Sequence, residues 1–176
     1  MLVLLMAGFA FSAAETLTST TATAGYPVYG VGDAGSVKMA YGEYDVAANV
    51  EDGDIFEMCK LPPGAKIIGG WFRGDDLDTG TETLDMDIGW AANGGSGTYD
   101  SADPDGLLNA GVLTGDVFAL GNVANVASYN YPLNGLLNTG VFPEFTEETT
   151  IQIEANAAAA TFAAGTISVV IYYVMD

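Results

Sequence analysis

From Ser36 onward the chain alternates apolar and polar residues in short runs bounded by Gly, Pro, Asn and Asp, the period of half-buried β-strands. The clearest run is Thr83 to Trp90, where Leu84, Met86, Ile88 and Trp90 share one face and Asp85 and Asp87 fall on the other. That spacing predicts a strand with one face in a core and one in water. The alternation returns where Ile151, Ile153 and Ala155 oppose Gln152 and Glu154. Thr166 to Val174 is apolar on both faces, which predicts a central or doubly covered strand. Further strands are predicted over Val37 to Val46, Asp54 to Leu61 and Ala65 to Arg73, the last two joined by a turn at Pro62, Pro63 and Gly64. Between Ala91 and Gly140 the signal weakens into a Gly- and Asn-rich tract, read as long surface loops and short edge strands. With no amphipathic helix of ten or more residues, no βαβ alternation and no fixed-period repeat, the chain reads as all-β, a β-sandwich or jelly roll.

The first 35 residues follow a different pattern. Leu2 to Ala14 is apolar and ends in small residues like the h-region of a signal peptide, but no positively charged n-region precedes it. It is also shorter than the about 20 apolar residues that a helix needs to span a bilayer. The favoured reading is a retained N-terminal arm or first strand that buries its apolar residues on the body or on a neighbouring subunit; an uncleaved signal or an overlong start stays open. Glu15 to Gly35, rich in Thr, Ala and Gly, reads as an extended arm or surface-following loop. The expected division is therefore residues 1–35 as arm and extended segment and residues 36–176 as the sandwich domain.

Charge narrows the partners. A net charge of -19 arises from 23 carboxylates against Lys38, Lys60, Lys66 and Arg73, and no cation follows Arg73. Neutralising phosphates takes Lys and Arg in number, so neither nucleic acid nor an anionic membrane surface is an expected partner. An acidic excess keeps a protein soluble in concentrated salt and fits a saline setting. With 49% hydrophobic residues the chain has ample material for a core, which excludes the intrinsically disordered class.

Little chemistry is encoded. The absence of histidine removes the commonest general base, the Ser-His-Asp and Cys-His constellations and the usual zinc ligands. The single cysteine, Cys59, forms no disulfide within the chain and reads as a small buried hydrophobe. Glycosidase chemistry would need two carboxylates across a cleft with one pKa raised, and nothing in the pattern buries one. Two acidic clusters, Gly74 to Gly80 and Asp100 to Gly106, supply the weak calcium candidates Asp76, Asp78, Asp103 and Asp105. Neither matches the EF-hand spacing, and Asp before Gly or Pro reads first as turn chemistry. Tyr26, Tyr29, Tyr41, Tyr44, Trp71, Phe72 and Trp90 offer a sugar-stacking platform on one reading and core on the other. The apolar neighbours of Trp71 and Trp90 favour core. No cofactor and no catalytic residue is expected.

The block from Gly35 to Trp90 resembles the front half of the small decoration (cement) proteins of tailed-phage capsids. The similar motifs are the strand YGEYDVA at 41–47, the pair DIFEMCKLPPGAKII at 54–68, the loop DDLDTG at 75–80 and the strand TLDMDIGW at 83–90. The loop DPDG at 103–106 and the closing strand TISVVIYYVMD fit the same family, whereas the apolar opening departs from its usual polar start. The resemblance implies a jelly-roll-like β-sandwich with an extended N-terminal arm, set on the outer surface of an icosahedral capsid. It also implies a homotrimer that bridges neighbouring copies of the major capsid protein. Since the cations all lie in residues 38–73, a capsid-facing side less acidic than the solvent side is expected. The competing class is a secreted or surface bacterial β-sandwich binding module, carbohydrate-binding or adhesin-like.

Overall fold

A computed structural model of the chain describes residues 14–25, 36–79, 83–108, 129–133 and 136–175. The apolar opening up to residue 13, Tyr26 and Tyr29, and residues 109–128 of the Gly-rich tract lie outside the described residues. The strands are β1 (Thr16–Thr18), β2 (Lys38–Val46), β3 (Ile55–Leu61), β4 (Ala65–Gly74), β5 (Asp85–Trp90), β6 (Asp103–Leu108), β7 (Tyr129–Pro132), β8 (Thr149–Ala157) and β9 (Gly165–Met175). They form a five-stranded sheet in the order β1-β3-β8-β5-β6 and a four-stranded sheet in the order β2-β9-β4-β7. From β2 onward the chain changes sheet at every step except β5 to β6. This is a jelly-roll-like β-sandwich arrangement, as the alternating pattern predicts.

The core is the set of inward-facing residues of the two sheets. Phe56, Met58 and Leu61 of β3, Met86, Ile88 and Trp90 of β5 and Ile151, Ile153 and Ala155 of β8 meet Ile67 and Phe72 of β4 and Ile167, Val169, Ile171 and Tyr173 of β9. Trp90 is fully buried, with its ring edge against Phe145 and its indole N–H donating to the Ser101 carbonyl at 3.0 Å. At Gly42 of β2 the backbone lies directly against β3 of the other sheet, and a Cβ there would stand 2.2 Å from the Met58 carbonyl oxygen. Cys59 is buried beside Met58 because a bulge between Glu57 and Cys59 turns both inward, and burial pushes its thiol up to about 12.

Three expectations need correction. Thr20–Ala24 is a five-residue helix, α1, where an extended segment was expected. Ser19 caps it by accepting from the Ala22 N–H at 3.0 Å, and Gly25 ends it at φ 85°. This turn and β1, which pairs in parallel with β3, lie on the body's own sheet edge. Next, Asp103 to Gly106 is not a turn; it belongs to β6, an edge strand, which tolerates Pro104. Asp87 is buried, since β5 lies between β8 and β6 and Asn156 of β8 donates to its carboxylate at 2.5 Å. β9 is central, one of the two alternatives the sequence left open, with Val170 and Tyr172 half-buried on its outer face.

Candidate interaction surface

The sites singled out by residue type resolve into structural roles. Asp78 is buried, and its two oxygens accept the backbone N–H groups of Thr83, Leu84, Ala160 and Thr161 at 2.7 to 3.1 Å. Burial pushes its carboxyl up, but these donors outweigh that and hold it below the ordinary value. Asp76 accepts the Asp78 N–H at 3.3 Å, a local turn contact. Asp100 accepts from the Thr146 hydroxyl, from Asn93 at 2.8 Å and from the Thr146 and Gly97 N–H groups at 3.0 and 2.5 Å. The Thr146 hydroxyl is the main reason its carboxyl sits at about 2. Asp103 is the opposite case: burial, then its hydrogen bond to Asp105 and the charge there, raise it to about 6. Asp78 and Asp100 are ringed by N–H and hydroxyl donors, and Asp103 hydrogen-bonds to Asp105, whereas calcium wants six to eight oxygens turned towards one point. Among the described residues no three or more Asp, Glu or Cys side chains converge as a metal site would require.

What stands out instead is a surface. The exposed large apolar residues among those described are Val37, Met39, Tyr41, Ile68, Trp71 and Phe142, with Val37 62%, Met39 56% and Trp71 48% exposed. All six belong to the outer face of the four-stranded sheet or its rim. On β2 the inward positions are Lys38, Ala40 and Gly42, so Val37, Met39 and Tyr41 point out. Opposite them on β9 stand Tyr172 and Val170, and Val170 is in turn opposite Trp71 on β4. Phe142 is two residues from Glu144, which bridges Lys66 of β4 and pairs with its ammonium at 3.3 Å on the same side. Together these side chains expose on the order of 500 Å², at the large end for a patch on a monomer.

Trp71 corrects the reading of it as core. A bulge between Ile67 and Gly69 inserts one residue into β4, which reverses the alternation beyond it. Phe72 therefore enters the core and Trp71 faces out. No compositional signal marks such a bulge, although the Gly69-Gly70 pair is consistent with one.

Polar groups continue the same face beyond the apolar rows. Glu43, Ser168 and Arg73 form the next row, and with Tyr41, Val170 and Trp71 they border a shallow groove of about 460 Å³. The Tyr41 hydroxyl donates to Glu43, and this bond is the main cause that raises its pKa. The outer face of the five-stranded sheet differs in kind, carrying Glu57, Lys60, Thr150, Gln152, Glu154 and Asn156. The cations do not gather on one side. Lys38 is buried and reaches Ser36 at 3.0 Å, Lys60 pairs with Glu148 at 2.7 Å beside the five-stranded sheet, and Lys66 and Arg73 stand on the four-stranded one.

No protein-family model matches the chain, and no curated protein matches it significantly. Solved structures do. A chain in the capsid of Ralstonia phage GP4 is similar with a TM-score of 0.68 at 24% identity, covering 92% of this chain and 98% of that one. A chain in the cyanophage Pam1 capsid asymmetric unit is similar with a TM-score of 0.61 at 25% identity, covering 86% and 91%. A third, from the acidic stable capsid of Helicobacter pylori bacteriophage KHP30, has a TM-score of 0.51 at 13% identity over 78% and 87%. The chain thus has a fold found in phage capsid structures, and its likeness to the Pam1 chain supports a virion structural role in the broad sense.

Proposed function

We propose that this protein decorates the outer surface of an icosahedral phage capsid, as a homotrimer that bridges and stabilises neighbouring copies of the major capsid protein. The observation that carries the reading is the division of its surface. Every exposed large apolar side chain among the described residues lies on one sheet face or its rim, on a chain of net charge -19 whose other sheet face is polar. Such a face is built to be covered by protein, and an acidic, polar remainder is suited to face solvent. The folds of the phage capsid chains support the setting. The test is to add the purified protein to bare shells of its phage and measure their thermal rupture. Rupture should move several degrees upward as the protein binds to saturation; absence of binding refutes the proposal.

A second reading has a specific observation behind it. Tyr41 and Trp71 flank Val170 beside Glu43, Arg73 and Ser168, an exposed aromatic pair next to polar groups that would suit a neutral glycan on a surface-binding module. Trp90 is fully buried and Trp71 is exposed, so tryptophan emission reports on the groove. A saturable change with a soluble glycan, lost in Trp71→Ala, would favour this reading over capsid decoration.

A further inference from the structure

We infer that the outer face of the four-stranded sheet is covered by a second copy of this chain, with Arg73 of one copy set against Glu43 of the next. The inference rests on the reading that this face is covered by protein, and it assigns the occupant. Charge is the first argument. At -19 two copies repel one another over most of their surface, but the rows Met39–Tyr172–Gly69 and Tyr41–Val170–Trp71 contain no carboxylate. Close approach is therefore cheapest there. The next row supplies complementary charges: Glu43 on β2 and Arg73 on β4 stand on either side of Ser168, about 10 Å apart by strand spacing.

Size agrees with this. The patch is on the order of 500 Å², enough to form the apolar centre of a standard interface of about 800 Å² per partner. Met, Tyr, Trp and Arg are the residue types enriched at such centres.

The test is sedimentation velocity and light scattering on the full chain, alone, with four variants. The wild type should be oligomeric. Arg73→Glu and Glu43→Arg should each weaken association about tenfold or more, and the charge-swapped double variant should recover most of the loss. Trp71→Ser should release monomers with unchanged circular dichroism, since the side chain is outside the core. A wild-type monomer, or an oligomer indifferent to all four variants, overturns the inference. A monomer that still adds to shells would leave the decorating role standing, whereas an oligomer that behaves as expected yet never joins shells would retain the inference and remove that role.

Discussion

Asp78 shows how much of this fold hangs on single carboxylates used as acceptors. It ties the segment at Thr83 and Leu84 to the one at Ala160 and Thr161 through four backbone N–H groups. Replacing it with Ala leaves those donors without an acceptor, and urea unfolding should show a loss of roughly 3 kcal/mol. Asp100 and Asp103 give the stability a pH dependence of opposite signs. Asp100 is held at about 2, below its ordinary 3.8, so its contribution is complete above that value and is lost as pH falls towards 2. Asp103 is raised to about 6, so its contribution is complete below 3.8 and is lost as pH rises through 6. Melting temperatures taken from pH 2 to 8 should therefore flatten on the acid side in Asp100→Asn and between about pH 4 and 6 in Asp103→Asn. The sequence announced these carboxylates as acidic clusters but not their roles. The partners of Asp78 lie 5, 6, 82 and 83 positions away, a pairing that only the packing of β5 against the end of β8 creates.

At the scale of elements, the strands themselves were legible, bulged ones included, and what was lost was the inward face of β4 beyond its bulge. Thr83 to Trp90 and Ile151 to Ala155 present the predicted inward faces, since period two maps directly onto the pleat. In β4 the extra residue between Ile67 and Gly69 exchanges Trp71 for Phe72 at the core, a reversal that alternation alone cannot anticipate. The short helix α1 was hidden for a different reason, because its stability comes from the Ser19 cap and from packing on β3, not from helical periodicity. Two glycines separate backbone contact from open surface. Gly42→Ala should cost about 2 kcal/mol or more, because its Cβ would meet the Met58 backbone, while Gly69→Ala, whose nearest neighbour is 3.8 Å away on Tyr172, should be close to neutral. Urea midpoints for the two variants make the comparison.

For the whole molecule the decisive property is its two-sidedness. One outer sheet face is polar and acidic, while the other carries apolar rows ending at Glu43 and Arg73. Composition alone disclosed the acidity and made a phosphate-rich partner unexpected, but it could not show that the exposed apolar residues converge, because Met39, Trp71 and Phe142 are far apart in sequence and meet only through the sheet. Such a face suits a virion component, and quantitative mass spectrometry of phage particles purified by density gradient is the decisive measurement. This chain should run in fixed, high copy relative to the shell protein through every particle fraction; its absence from intact particles would rule out a virion role.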